Sequence, residues 1–142
     1  MKKIALALIC VVSSGAASAV EFEASKKLLM ADCPKLLNED VQINLSNNVV
    51  GGAACGTNAL ALATCSIGGR TSTRTVEKFD CTEDADGNET CNSFDPKQYE
   101  PAPAGATMAT ASTAQGTVIP AYPGVDCSAT AAQTAATKRV GS

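Results

Sequence analysis

The sequence predicts a mainly β fold: a small, disulfide-stapled antiparallel β-sandwich with an N-terminal helix and a low-complexity Ala/Thr/Pro tail. Two observations favour it. Apolar and polar residues alternate through much of residues 41–67, which is the period of strands with one buried face. Six of the seven cysteines follow a leader typical of exported proteins. Because the chain has no tryptophan and few other aromatic residues, disulfides would replace much of a large core.

The first 19 residues have the pattern of a secretory signal peptide. Lys2 and Lys3 precede a short apolar run, and Ala17-Ser18-Ala19 forms a small-residue cleavage site. The apolar run is far shorter than the roughly 20 residues that span a bilayer, and the residues before Cys10 do not form a lipobox. We expect cleavage after Ala19 and a protein secreted to the periplasm, the cell surface or the medium. The short positive segment is typical of bacteria.

Length and charge bound what the mature chain can do. Removal of the leader leaves about 120 residues, which we divide into a disulfide-rich domain with the N-terminal helix (residues 20–100) and a tail (residues 101–142). The loss of two lysines makes the net charge more negative than the −3 of the full chain, which opposes binding to nucleic acid through bulk charge. The absence of histidine removes the commonest general base and metal ligand. We expect no cofactor and no metal.

The first part of the domain predicts one helix followed by strands. Residues 22–38 carry apolar residues at helical spacing, and we expect the helix to end near Asp32 because Pro34 interrupts it. Strands are then predicted where β-rich or alternating runs are bounded by turn residues. The predicted strands are residues 41–45, 49–55, 59–67 and 70–81.

The cysteines predict structural disulfides. Residues 81–91 read as a hairpin with a three-residue turn at 85–87, and this register sets Cys81 opposite Cys91 within disulfide reach. Spacing suggests Cys55–Cys65 and Cys33–Cys127 for the rest, although six cysteines allow 15 connectivities and sequence alone does not choose among them. A four-thiolate zinc site is the alternative, which no C-x2-C pair supports.

The charged residues near the hairpin suggest two binding sites. The acidic run at residues 80–89 invites a calcium site, but an EF-hand register on Gly87 puts Thr82 and Ser93 where carboxylates are required. A solvated, charged turn is the simpler interpretation. Arg70 and Arg74 would share one face of a strand and could contact a partner; the alternative is an edge strand whose charges discourage unwanted pairing.

The tail contains 12 alanines and 7 threonines but only three charged side chains. Residues 101–105 predict an extended linker and residues 117–119 a short strand. Ser128 is a candidate N-cap for a small helix to Arg139, where cations suit the helix C-terminus. We expect the tail to be only partly ordered, with Cys127 as its candidate tether.

These features leave three classes of function. We expect no enzyme, and the first class is a secreted structural protein: a filament- or matrix-type subunit that binds its own copies or another surface protein, with the tail adding a strand to a neighbour's sheet. The second is a monomeric extracytoplasmic binding module or inhibitor that presents the Cys81–Cys91 hairpin or the arginines. The third is a carboxylate-based hydrolase, which the near-absence of aromatic sugar platforms disfavours.

Overall fold

The structure, a computed structural model, describes residues 18–83 and 89–140. The predicted leader up to residue 17 and the predicted turn at residues 85–87 therefore lie outside the described residues. The described part is mainly β, with eleven strands, a 3-10 turn at Met30–Asp32 and one α-helix. The elements are β1 Ser18–Phe22, β2 Lys26–Leu28, β3 Val41–Ile43, β4 Val49–Cys55, β5 Leu60–Ser66, β6 Arg74–Glu77, β7 Phe79–Glu83, β8 Glu89–Ser93, β9 Tyr99–Ala102, β10 Met108–Ser112, β11 Val118–Ala121 and α1 Ala129–Val140.

Five strands form one antiparallel sheet in the order β1-β4-β5-β10-β11. Its centre is the β4–β5 hairpin, whose register sets Gly52 opposite Ala63. The alternation that predicts β5 is real: the odd-numbered residues from Ala61 to Cys65 are buried beneath α1, and the even-numbered residues face the other side. The other strands form two-stranded pieces, β2–β3, β6–β9 and β7–β8.

Different layers cover the two faces of the sheet. On one face α1 packs over a core made mainly of alanines, together with Val50, Met108 and Cys65. On the other face the N-terminal segment packs around Phe22 and Leu28. The described residues thus form a helix, a sheet and an N-terminal layer whose only strands are the short β2–β3 pair, and this pair is not the second full sheet that a sandwich requires. The predicted mainly antiparallel β fold is confirmed, and the sandwich is wrong.

The predicted N-terminal helix is also wrong. Residues 22–38 form β1, β2 and the 3-10 turn, and the only α-helix among the described residues is α1, near the C-terminus. Phe22 and Leu28 face the core from two short strands rather than from one helical stripe. A few apolar residues at helical spacing are also compatible with short strands joined by bends, because each strand buries only one or two of them.

The segment predicted to be a partly ordered tail completes the main sheet and covers it. β10 pairs with the free edge of β5, β11 pairs with β10, and α1 crosses β4 and β5. Small side chains make this possible: a Cβ built on Gly52 would overlap the backbone of Gln133 in α1. Alanine and glycine let helix and sheet approach closely here, so the composition reflects tight packing instead of low complexity.

The helix start agrees with the prediction from Ser128. Its Oγ accepts a hydrogen bond from the backbone N–H of Ala131 at 3.1 Å, and its carbonyl accepts one from Ala132 at 3.0 Å. Lys138 and Arg139 occupy the last turn, where cations oppose the helix dipole. α1 buries Ala129, Ala132, Ala135 and Ala136 against the sheet.

Replacing Ser128 by alanine is expected to lower the free energy of unfolding by about 1 kcal/mol, because the N–H of Ala131 loses its side-chain acceptor. Chemical denaturation measures the change. Ser128→Asp is the matched control, since aspartate is also a good N-cap, and it should retain the stability of the wild type. Equal losses of stability in both variants would show that Ser128 does not stabilise the protein as an N-cap.

Among the described side chains, two disulfides differ from the predicted pairs. Cys33 pairs with Cys55, with 5.6 Å between their Cα atoms, and Cys65 pairs with Cys127 at 5.8 Å. The predicted Cys55–Cys65 and Cys33–Cys127 pairings are wrong because Cys55 and Cys65 face opposite sides of the sheet. Each disulfide therefore fastens one covering layer, the N-terminal segment or the segment before α1, to the β4–β5 hairpin. Cys127 does tether the C-terminal segment, as expected.

Candidate functional site

The most distinctive surface feature is a two-stranded arm, residues 74–83 and 89–102. It lies within the connection between β5 and β10, which are themselves neighbours in the main sheet. The chain leaves the sheet along β6 and β7 and returns along β8 and β9. Because the two ends of the connection lie at adjacent strands, the sheet pairing does not depend on what the connection contains.

The arm is built from its own residues. β6 pairs only with β9 and β7 only with β8, and within the described residues none of these strands makes more than marginal contact with any other element. Most of its described residues are exposed, including Phe79 at 49% and Tyr99 at 61%. A two-stranded ribbon is marginally stable by itself in water, so the arm depends on the local contacts described below.

Arg74 fastens the arm to the main body at its root. Its guanidinium donates hydrogen bonds to the carbonyl of Arg70 at 2.8 Å, to the carbonyl of Gly105 at 3.2 Å and to the hydroxyl of Thr107. It also lies over the ring of Tyr122, 5.5 Å from the centroid. The planar guanidinium, with several donors, can bind both chain segments at once, which a lysine could not do equally well.

Ionic and aromatic contacts restrain the middle of the arm. Lys97 donates a hydrogen bond to Glu77 at 3.0 Å, which lowers the pKa of Glu77 and raises the pKa of Lys97. Nζ of Lys78 lies 5.8 Å from the ring centroid of Phe94. The Lys97 side chain is 60% exposed, so we expect this pair to orient the strands more than to stabilise the fold.

The outer part of the arm is the hairpin predicted from the sequence. β7 and β8 pair antiparallel with Cys81 opposite Cys91, which is the register that a cross-strand disulfide needs. The bond itself stays a prediction. The same register sets Glu83 opposite Glu89.

A second feature is an open groove of about 560 Å³ between α1 and the sheet edge at β10–β11. α1 packs on β4, β5 and β10 and makes little contact with β11. The floor is apolar, and Lys138 and Arg139 of α1 are among the lining residues, as is one carboxylate, Asp126. The apolar part of the lining includes Ile119, Ala121, Val125 and Ala131.

The two arginines selected from sequence differ in their placement. Arg70 precedes β6 and is exposed, with Nε donating to the hydroxyl of Ser72 at 2.7 Å, whereas Arg74 begins β6 and is half-buried. The expectation that both lie on one face of a single strand is wrong, because a turn follows β5 and the strand starts only at Arg74. A partner contact by Arg70 stays a prediction. Sequence reasoning did not foresee the function of Arg74 at the root, because two of its acceptors, the Gly105 carbonyl and the Thr107 hydroxyl, are more than 30 residues away in the sequence.

Metal and membrane features are limited in the described residues. No group of three or more acidic or cysteine side chains there has the geometry to hold a metal ion. The residues of the calcium interpretation at the hairpin turn, Asp84, Asp86 and Gly87, lie outside the described part. No described helix is long and apolar enough to cross a membrane.

The chain matches no protein-family model, no curated protein and no solved structure. The arm and the groove are therefore the features of the structure that bear on its function.

Proposed function

We propose that the protein is an exported, non-enzymatic structural subunit of a filament- or matrix-type assembly, and that the arm is its contact element. One observation carries the proposal: a two-stranded ribbon leaves the main sheet and, apart from the contacts of Arg74 at its root, makes at most marginal contact with the other described elements. Ordering such a ribbon costs conformational entropy that its own contacts offset poorly. A partner that covers it would supply the missing burial.

The disulfides and the leader pattern support an oxidising compartment. Cys33–Cys55 and Cys65–Cys127 each join separate layers of the fold, so the native structure benefits from an oxidising environment. The leader pattern in residues 1–19 supports export. With the leader removed, β1 would retain Val20, Glu21 and Phe22, and Phe22 is the residue that this strand buries in the core.

Deletion of the arm is expected to abolish self-association without unfolding the protein. Arg74 and Ala102 are opposite each other in the β6–β9 ladder, so residues 75–101 can be replaced by Asn-Gly, the preferred two-residue hairpin turn, with the N–H of Ala102 free to close it. This variant loses Cys81 and Cys91 together and therefore creates no unpaired thiol. Size exclusion with light scattering across a concentration series compares it with the oxidised wild type.

The wild type should form oligomers or polymers whose size rises with concentration, and the arm-deleted variant should stay monomeric with a cooperative unfolding transition. Wild-type-like assembly by the deleted variant would contradict the proposal.

The alternative function is a monomeric binding module or inhibitor that presents the same arm to a different secreted protein. The exposed Phe79 and Tyr99 favour a binding role for the arm in either case. A wild type that is monomeric at every concentration, and that captures a partner only when the arm is present, would select this alternative. Self-association dependent on the arm would select the structural subunit.

A further inference from the structure

We infer that the Ala19–Val20 bond is a processing site that the fold itself closes: a bacterial signal peptidase cuts it only while β1 is not paired with β4. The cut is a hydrolysis, in which water adds across one peptide bond and leaves a carboxylate on Ala19 and an amine on Val20. This inference rests on the export that is part of the proposed function. It sets the order of two events, with removal of the leader before completion of the main sheet.

The bond lies inside a paired strand. β1 covers Ser18–Phe22, so it begins before the bond and ends after it. Its register sets Ala19 opposite Ala54 and Val20 opposite Ala53. The residues on both sides of the bond therefore belong to one antiparallel ladder with β4. A peptidase needs the backbone of its substrate detached, and proteolysis concentrates where the backbone is not held by such pairing.

Packing holds β1 on both sides of the bond. After the bond, Phe22 is 1% exposed and belongs to the same core cluster as Leu28. Before it, Ser18 lies opposite Cys55 and lines a cavity of about 330 Å³ together with Cys33 and Cys55. The disulfide between these two cysteines thus fastens the N-terminal layer beside the first residue of β1. Detaching the bond from β4 requires that Phe22 leave the core, because Phe22 follows the bond closely in the same strand.

Side-chain exposure alone would suggest an accessible bond, since the side chains of Ala19 and Glu21 are exposed. Exposure of a side chain does not free the backbone that carries it. Cleavage of a folded chain follows the population of its locally open form when opening is fast. We expect the folded precursor to be cut about a hundredfold more slowly than the unfolded chain, or slower still. A copy that folds first would therefore keep its leader.

The test compares two full-length precursors that have the same leader. One is oxidised and folded, and the other is reduced and carbamidomethylated, because the added groups do not fit at the buried positions of Cys33, Cys55 and Cys65. Both carry Cys10→Ala, so that the modification leaves the leader unchanged. Purified bacterial signal peptidase in mild detergent is added to each, and mass spectrometry follows the product that begins at Val20.

Two substitutions in β1 test whether its docking sets the rate. Phe22→Ala removes the buried anchor and should speed cleavage of the folded precursor about tenfold or more. Glu21→Ala is the matched control, because Glu21 is exposed in the same strand, and it should not change the rate. Each rate is divided by that of the carbamidomethylated form of the same variant, which removes direct effects of the substitution on the peptidase.

An inserted spacer tests the pairing itself and does not require any change in the core. A Gly-Ser segment of about eight residues between Ala19 and Val20 extends the chain by about 15 Å. Val20, Glu21 and Phe22 can still pair with β4, whereas the residues before the bond at Ala19 no longer belong to the ladder. Cleavage after Ala19 in the folded spacer variant should then approach the rate of its unfolded form.

The outcomes separate this inference from the proposed function. Equal cleavage of the folded and carbamidomethylated precursors would show that β1 does not protect the bond, and export would stand. A folded spacer variant as resistant as the precursor without the spacer would also overturn the inference, since the protection would not come from pairing with β4. Failure of the unfolded precursor to give a product that begins at Val20 would overturn both this inference and the predicted leader.

Discussion

Replacing Gly52 by alanine is expected to lower the free energy of unfolding by about 3 kcal/mol, which is a large effect for one methyl group. Gly52 lies in the middle of β4 on the face that α1 covers. An ideal Cβ at this position would lie inside the van der Waals surface of the Gln133 backbone. A backbone atom cannot rotate away as a side chain does, so α1 must move off the sheet and uncover the alanine core.

Gly68→Ala is the matched control for this prediction. Gly68 lies in the turn after β5, and a Cβ built there meets no atom within 4 Å. Alanine reduces the conformational entropy of the unfolded chain, so the control should be as stable as the wild type or more stable by up to about 1 kcal/mol. Urea denaturation followed by circular dichroism measures both. A Gly52→Ala protein with unchanged stability would show that α1 is not held at the distance described.

Removal of the Cys65–Cys127 disulfide is expected to cost about 4 kcal/mol, and removal of Cys33–Cys55 about 3 kcal/mol. The order follows from the length of chain that each bond closes, a separation of 62 residues against 22. Both pairs are replaced by alanine, since serine would put a hydroxyl into a buried site. Cys33, Cys55 and Cys65 are each no more than 5% exposed.

The two double variants, Cys65→Ala/Cys127→Ala and Cys33→Ala/Cys55→Ala, control for each other because each removes two sulfur atoms from one face of the sheet. Denaturation without reductant gives the two free energies. The Cys65→Ala/Cys127→Ala variant should also lose protection of the α1 amides in hydrogen exchange, since Cys65–Cys127 is the one of these two disulfides that holds the segment before the helix. A larger loss of stability on removal of Cys33–Cys55, which closes the shorter loop, would contradict the chain-entropy explanation. It would indicate that packing of the N-terminal layer determines the effect.

Local patterns predicted the elements that local chemistry determines. Alternation through residues 59–67 predicts β5, Ser128 predicts the start of α1, and the hairpin register predicts Cys81 opposite Cys91. What failed depends on distant parts of the chain. The partner of Cys55 depends on which face of the sheet Cys55 occupies. The alanines of α1 pack closely on the sheet because Gly52, about 80 residues earlier in the sequence, has no side chain in their way.

For the same reason, the sequence predicts the hairpin of the candidate site but not the rest of the arm or the groove. An acidic hairpin can be recognised from residues 81–91 alone. That it continues into a ribbon depends on the pairing of β6 with β9, whose residues alternate poorly and include Pro101. The groove depends on which strands α1 covers, and no local sequence pattern encodes the position of α1 on the sheet.

The disulfide pattern has a consequence for biogenesis. After the predicted leader, the first two cysteines, Cys33 and Cys55, are partners, while the third, Cys65, must wait for the last, Cys127. On a chain that enters an oxidising compartment N-terminus first, Cys65 meets Cys81 and Cys91 as wrong partners before its own arrives. If the predicted Cys81–Cys91 disulfide closes first, it removes both competitors, and the hairpin then favours correct pairing of Cys65 with Cys127.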